Sequence, residues 1–465
     1  MKIRKITVWI LAVVMILSLT ACGSSAAGNN GQSEQKTASA ETGSTAADAS
    51  ASTETSDGTA QSETGSTAEE SNNSASAESQ DEAAAGSETA KDAAAETAEP
   101  ESSDSSAQAA ADADVNAPVI DGLTFDHAMP LEYADGFSVY YYEGGYKLID
   151  VPLSGQYLVI PEGAEAPAGI DPEIYLLYQP LDQVYMAATG SMSFIDQIDA
   201  MENITMSSLD KNGWYIDAPI KAMDEGTLKF AGKYSEPDYE LMIGSGCDLA
   251  IESTMILHSP EVQEMIEDLG IPVFIDRSSY ELDAFGRIEW IKLYGAMFNK
   301  EELAEEKFAG QENVLDELKD FENTGKTVTF FAVNSNKTIT VRKTEDFIPN
   351  MIELAGGKYI FEDLQNPGSS SASVRLSMEE FYNTAVNADY LIYNGTIEEP
   401  LESIDDLLGK NELFSEFIAV KEGNVWTVDK TWYQSTATIG YLITDLNRML
   451  TGGDPDEMAF LHKVQ

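Results

Sequence analysis

Between Ala284 and Phe321 the apolar positions fall into two helical runs. Ile288, Ile291, Tyr294 and Phe298 recur at three- and four-residue spacing, which predicts one apolar stripe on one helix face. Asn299 stands where an N-cap belongs, and Glu302 three residues on completes the pattern of a capping box. A second helix then carries Leu303, Phe308, Leu315, Leu318 and Phe321 among many charges, so it is expected to be solvated on one side and packed on the other.

On either side of this stretch the period switches repeatedly between two and 3.6. Upstream, Phe137 to Val151 alternates around Gly144-Gly145, which predicts a hairpin. Short strands are expected at Tyr157–Ile160 and Ile174–Leu177, a helix from Ser193 after the turn at Gly190, and another from Tyr239. Asp248–Ile251 then reads as a strand, Glu261–Leu269 as a helix stopped by Gly270, and Ile271–Ile275 as a strand. Downstream, Thr327–Val333 is a strand, Phe347–Ala355 a helix closed by Gly356-Gly357, and Ser377-Met378-Glu379-Glu380 a capping box before the strand from Asp389. Gly423–Val428 is a late strand, and Ile439, Leu442, Ile443, Leu446 and Leu450 stripe a closing helix. Repeated β–α–β of this kind implies an α/β fold with mainly parallel sheets covered on both faces. Two similar halves about one helix put a ligand between them.

Composition divides the 465 residues sharply near residue 118. The first part holds almost no large apolar residue beyond its N-terminus, and the rest is rich in Tyr, Ile, Leu, Phe and Trp, enough for two lobes of ordinary size. A net charge of −53 excludes nucleic acid as a partner, because phosphates would be repelled. Of two cysteines, Cys247 alone is left once Cys22 is assigned below, so there is no disulfide framework, and Cys247 reads as a semi-buried small residue. The three histidines, His127, His258 and His462, lie too far apart in sequence to suggest a zinc site. No cofactor is expected.

Lys2, Arg4 and Lys5 precede an uncharged, largely apolar run of 14 residues from Ile6 to Leu19, short for a membrane span and right for a signal-peptide core. The sequence Leu19-Thr20-Ala21-Cys22 that ends it resembles the lipobox of bacterial lipoproteins. That resemblance implies removal of residues 1–21 and lipidation of Cys22. From there to residue 118 the chain is Ser, Ala, Thr, Glu, Gly and Asp, with only Lys36 and Lys91 as bases, and is expected to be disordered. At roughly 5–6 Å × √n, such a tether reaches about 50–60 Å, which suits a domain held on the outer face of a Gram-positive cell membrane.

Tyr239-Glu240-Leu241 leading to Cys247-Asp248-Leu249-Ala250-Ile251, then a helix and Leu269-Gly270-Ile271-Pro272-Val273, resembles the first lobe of the periplasmic-binding-protein-like receptors. These serve ABC importers of iron–siderophores, haem and cobalamin. Asp276–Glu281 and Gly286–Lys292 are similar to a clostridial-type branch of that group. The resemblance covers about residues 137–452. It implies the class III fold, two Rossmann-like lobes (119–298 and 323–465) joined by one long helix (299–322). It further implies a monomer that captures a metal chelate, most simply a ferric siderophore, with haem or corrinoid as the alternative, and passes it to a permease and its ATPase.

The family docks on permease arginines through one acid per lobe. By motif these are Glu240, eight residues before Asp248, and Glu379 or its neighbour Glu380; Glu379 precedes Asp389 by ten, so the choice between the two stays open. Both places are helix starts, where a carboxylate is also favoured by the macrodipole. Ligand contacts are expected from loops at the carboxyl ends of strands: Ser191, Met192, Tyr234, Ser253, Thr254, Asn334, Lys337, Arg375, Trp432 and Tyr433. Tyr234 falls where cobalamin receptors of the group place a pocket aromatic. The matching second-lobe place near Ser373 has none, and Arg375 there suits an anionic ferric chelate. A surface hydrolase is the rival class, but Gly-x-Ser-x-Gly, P-loop and His-Glu-x-x-His motifs are all absent. A receptor for bare zinc or manganese would need more histidines.

Overall fold

The computed structural model describes residues 117–366 and 371–465. Cys22, the leader 1–21 and all but the end of the 22–118 segment lie outside them.

Three sheets of five or more strands make up these residues. The first is β1 (Phe125–Ala128), β2 (Ser138–Tyr142), β3 (Tyr146–Val151), β4 (Gly155–Ile160) and β5 (Ile174–Tyr178), in that spatial order. Its pairs are antiparallel except β4–β5. The β2–β3 turn falls on Gly144 and Gly145, both at positive φ, as the alternation predicts.

A second sheet follows, with strand order β12-β11-β6-β7-β8. It is built from β6 (Val184–Met186), β7 (Ile204–Ser207), β8 (Lys229–Phe230), β11 (Leu249–Ser253) and β12 (Val273–Asp276), and every pair is parallel. Between its strands run α1 (Met192–Gln197), α2 (Asp217–Glu225), the small hairpin β9 (Gly232–Lys233) and β10 (Glu236–Pro237), α3 (Tyr239–Ser245) and α4 (Pro260–Asp268). The strands read upstream of residue 180 therefore do not join a parallel first-lobe sheet. β2–β3 and β3–β4 are joined by direct hairpins too short for the crossover that parallel pairing needs, and only β4–β5, with a longer connection, pairs parallel.

Next come α5 (Ala284–Phe298) and α6 (Glu301–Leu318). The two-helix reading is right, but the break is not an N-cap. Asn299 sits in the left-handed region (φ 57°, ψ 43°) and ends α5, and its side chain accepts from Lys147 Nζ at 2.7 Å. Lys300 precedes α6 without a side-chain cap, so Glu302 closes no capping box. Asparagine tolerates left-handed backbone at a helix end, so the same residue type serves either role. The expected one-sided stripe on α5 is also corrected: every residue but Arg287 is buried, because the helix touches β2 and β3, α1, and elements of the next sheet's layer. Against α6 it turns so tightly that a Cβ on Gly295 would lie 2.6 Å from Ala304 Cβ. Gly295→Val is expected to cost about 1–3 kcal/mol, read as a lowered urea midpoint.

The third sheet has order β16-β14-β13-β17-β18-β19. Its strands are β13 (Thr327–Val333), β14 (Ile339–Arg342), β15 (Lys358–Tyr359), which also pairs β13, β16 (Ser373–Leu376), β17 (Tyr390–Asn394), β18 (Val425–Val428) and β19 (Leu461–Lys463). β15, β13, β17 and β18 pair parallel; β14 pairs antiparallel with both β13 and β16, and β19 antiparallel with β18. The layer is completed by α7 (Phe347–Leu354), α8 (Met378–Ala385), α9 (Ile404–Lys410), α10 (Ile418–Glu422), α11 (Lys430–Tyr433) and α12 (Gly440–Thr451). α8 opens with the predicted capping box, Ser377 with Glu380. One apolar core runs through β11, α5, β13 and α12 without interruption.

Candidate functional site

In the second sheet the chain runs outward from β6 to β8, then returns to place β11 on the other side of β6. Strand order reverses there, which is where open α/β sheets place a ligand crevice, outside the carboxyl ends of the two strands. Ser191 and Met192 follow β6, and Ser253 and Thr254 end β11; Ser191, Met192 and Thr254 are buried. Ser253 caps the next turn by accepting from Met255 N at 3.3 Å. Ser191 shares a buried polar group with Asp276, at the end of β12, whose carboxylate also accepts from Tyr294 at 2.7 Å and from the Ser278 hydroxyl at 2.7 Å. Burial pushes the Asp276 carboxyl above its ordinary range, against these hydrogen bonds.

The loop after β18 lies directly on this crevice. Gln434, buried, accepts from Tyr215 N at 2.7 Å and donates to Gly213 O at 2.8 Å, and Ala437 N donates to Ser193 Oγ at 3.0 Å. The approach is close at Gly190, where a Cβ would sit 3.1 Å from Thr436 Oγ1 and 3.6 Å from the Tyr433 carbonyl oxygen. Ser191, Met192, Trp432 and Tyr433 are thus brought to one seam, where protein rather than solvent covers most of them. Trp432 is buried between Phe330 and Phe347, stacked on the latter with centroids 6.1 Å apart; Tyr433 is exposed.

The other candidates are not gathered there. Tyr234 occupies the β9–β10 turn and leans on the apolar cluster under α3. Asn334 binds the hydroxyls of Thr338 (2.8 Å) and Thr340 (2.9 Å), which shapes the β13–β14 turn. Lys337 takes the left-handed position of that turn (φ 67°) and reaches Lys410 O. Arg375 is exposed on β16, in register with Thr340.

Beside the seam, a cavity of about 320 Å³ opens between the start of α5 and the start of α7, lined by Leu282, Asp283, Thr344, Glu345, Asp346, Asn350 and Glu353. Near it, the Arg287 guanidinium lies 3.6 Å from the Phe347 ring centroid while donating to the carbonyls of Glu281 (2.9 Å) and Ser279. Desolvation of the guanidinium against the Phe347 ring, on a side chain that stays partly exposed, pushes Arg287 down to about 10. Arg342 donates to Asp346 Oδ2 at 2.6 Å and to Ser373 Oγ at 3.3 Å. The sequence reading missed these lining residues. Asp283 and Asp346 each precede a helix and look like ordinary caps; Asp283 is one, accepting from Phe285 N and Gly286 N, whereas Asp346 caps nothing with its side chain.

Of the expected docking acids, Glu240 is exposed in the first turn of α3, behind an Asp238 cap. Glu380 is taken up by its capping box: its carboxylate accepts from Ser377 N at 2.8 Å and Ser377 Oγ at 2.7 Å, which holds its pKa below the ordinary value. Glu379 is exposed and outside the box.

Among the described residues no group of three or more His, Cys, Asp or Glu side chains is placed to hold a metal ion, and no helix is long and apolar enough to cross a membrane.

Residues 210–431 match the periplasmic binding protein family. Two uncharacterized lipoproteins of Methanocaldococcus jannaschii are similar to the chain. One is 26% identical over 239 residues, covering 50% of this chain and 53% of its own length. The other is 25% identical over 355 residues, covering 72% and 87%. The chain therefore spans about half the length of the first of these. A solved periplasmic binding protein from Veillonella parvula aligns with 18% identity and a TM-score of 0.47, over 58% of this chain and 91% of that one.

Proposed function

From its membership of the periplasmic binding protein family, we propose that this chain is the surface receptor of an ABC importer, holding a small metal chelate between two lobes and delivering it to a permease. The lobes are residues 119–298 and 323–465, with 299–322 as the joining helix. The observation that carries the reading is the opposition of the parallel second sheet and the parallel strands of the mixed third sheet, whose carboxyl-end loops, 187–193 with 213–215 on one side and 429–438 on the other, meet across a hydrogen-bonded seam. A ligand in that position is enclosed by a small rotation of one lobe on the other. The chain binds rather than transforms its ligand, and it works as a monomer anchored through lipidated Cys22 on the outer face of the membrane. The lipobox supports this, as do the lipoprotein relatives.

The chelate is a ferric siderophore, with haem or corrinoid the alternative. Trp432 stacks on Phe347, the residue after Asp346, and serves as the reporter. Titration with a ferric hydroxamate, a ferric catecholate, haem and cyanocobalamin, corrected for absorption with free tryptophan, is expected to give saturable quenching with one ferric chelate. Saturation by cobalamin or haem alone overturns the siderophore assignment.

Delivery runs through Glu240 and Glu379, each an exposed acid in the first turn of its helix. The double substitution Glu240→Ala with Glu379→Ala is expected to abolish uptake and leave ligand affinity within about twofold, as expected for surface carboxylates. Glu380→Ala, in contrast, removes the capping box and acts on α8 rather than on docking. Loss of affinity in the double variant, or full uptake by it, sinks the assignment.

A further inference from the structure

A strand that ends a sheet leaves one row of backbone N–H and C=O groups open to pairing, and charged side chains on the strand are a common guard against it. In the three large sheets these ends are β1 and β5, β12 and β8, and β16 and β19. Asp126, Lys229, Asp276, Arg375 and Lys463 put an ionisable acid or base on every one of them except β5. At the far end of the same sheet, β1 also shifts register against β2, a second guard. β5 is Ile174-Tyr175-Leu176-Leu177-Tyr178, with no charge and no proline, in unbroken register with β4.

The outer side of β5 faces a groove. Gln179 N donates to Ile160 O at 3.0 Å. By the alternation of a strand, the backbone groups of Leu177 and Tyr175 therefore point to β4, and those of Leu176 and Tyr178 point away from it. A cavity of about 500 Å³ is lined by Ile174, Tyr175, Leu176 and Tyr178. Successive residues lie on opposite faces, so this lining puts the cavity at the edge of the strand and not over one face. Residues 247–248 and 270–272, which lead into β11 and β12, line it as well. It therefore lies at the amino ends of the second sheet's strands, the opposite end from the seam.

Its charged lining is acidic only. Asp248 accepts from Asp182 N (3.1 Å) and Gln183 N (2.9 Å), and Glu267 accepts from the Tyr175 hydroxyl and the Gln263 amide, both at 2.9 Å. These donors are neutral, and neither carboxylate joins an ion pair among the described residues. Their hydrogen bonds are made while their charge stays unmatched.

We propose that β5 is a docking edge for an extended segment of a protein partner, with apolar residues at alternate positions and basic residues between them, which adds to the first sheet as a further strand. Backbone bonds to Leu176 and Tyr178 supply the affinity, and the apolar wall with its two carboxylates supplies the selection. A second copy of this chain is the wrong occupant, because each copy carries a net charge of −53.

The test is calorimetry on the full chain with an end-capped heptapeptide of alternating lysine and valine. Its controls are the glutamate–valine peptide and the lysine–valine peptide N-methylated throughout, which keeps charge and side chains and removes the backbone donors. Saturable binding of the first peptide is expected, with slowed hydrogen exchange over residues 174–178. Full N-methylation is expected to weaken it about tenfold or more. Tyr178→Pro, which removes one outward N–H and leaves the β4 ladder intact, is expected to weaken it to a similar extent. Glu267→Gln keeps the acceptor and removes the charge; it is expected to weaken binding about two- to fivefold, and it keeps the test open if the proline variant folds poorly. Equal binding of either control peptide, no saturation, or indifference to both variants overturns the proposal. So does a dimer in sedimentation that Tyr178→Pro abolishes, which would make a second copy the occupant of this edge.

Discussion

Replacing Glu289 with leucine is expected to lower stability by about 3–5 kcal/mol, the cost of breaking a buried charged network on one side. Glu289 is fully buried in α5 and accepts from the backbone N–H groups of Glu132 (3.0 Å), Tyr133 (2.9 Å) and Ala134 (2.8 Å), and from Lys292 Nζ at 3.2 Å. The next two N–H groups, of Asp135 and Gly136, go to Glu281 at 3.3 and 2.8 Å, and the Trp290 indole N–H joins them at 2.9 Å. Two carboxylates thus satisfy five successive backbone donors of the segment leading into β2. That fastens the first sheet to the helix on which the cleft is built. Gly136 must be glycine here, because a Cβ would meet Glu281 Oε1 at 2.7 Å.

With leucine at 289, three donors and the Lys292 charge lose their acceptor. Lys292 keeps the partly exposed Glu305 and the Phe308 ring, so the charge is not wholly abandoned. Urea denaturation of the full chain reads the change. The double variant Glu289→Leu/Lys292→Met is expected to recover part of the loss and not all, since the backbone donors stay unpaired. A single-variant loss below about 1 kcal/mol, the scale of one ordinary hydrogen bond, would falsify the anchoring role.

This network shows where reading the chain stops. Glu289 and Lys292 lie three apart on a helix and look like a surface pair. Only the packing of β2 and β3 on α5 turns them inward. The strands themselves were legible, because Gly144-Gly145 and the alternation around them are local signals. Their membership in a separate sheet was not, since pairing between β4 and β5 depends on contacts far along the chain. Ser377 and Glu380 were legible as a capping box because both partners lie within one turn. Asn299 was misread because the same side chain that caps a helix start tolerates the left-handed backbone of a helix end. The cavity escaped for a third reason: Asp346 reads as an ordinary helix-start acid, and only the fold brings the start of α7 beside the start of α5. Gln434, which holds the seam, carries no local signal at all.

A second buried carboxyl makes the opposite prediction. Glu252→Met is expected to stabilise the protein at neutral pH, on the order of 1–3 kcal/mol. Glu252 lies on β11 opposite Ile275, is completely buried, and has no hydrogen-bond partner for either oxygen among the described residues. Its surroundings are the apolar cluster of Ala250, Met206, Met242 and Ile275, with Tyr185 and Tyr239 the titratable neighbours. Burial pushes its pKa well above the ordinary carboxylate value. The folded chain therefore keeps this proton at a pH where the unfolded chain has released it. The contribution of this one group is fully present below the unfolded value, declines as pH rises past it, and is gone only above the raised folded value. Every tenfold difference in proton affinity between the folded and unfolded chain is worth about 1.4 kcal/mol. The gain from Glu252→Met should accordingly grow with pH from about 4 upward, whereas the wild-type curve declines over the same range. Urea midpoints of both proteins at several pH values measure it. A variant less stable than wild type at neutral pH would mean that the carboxylate has a favourable partner, and that its burial is held by more than the cluster around it.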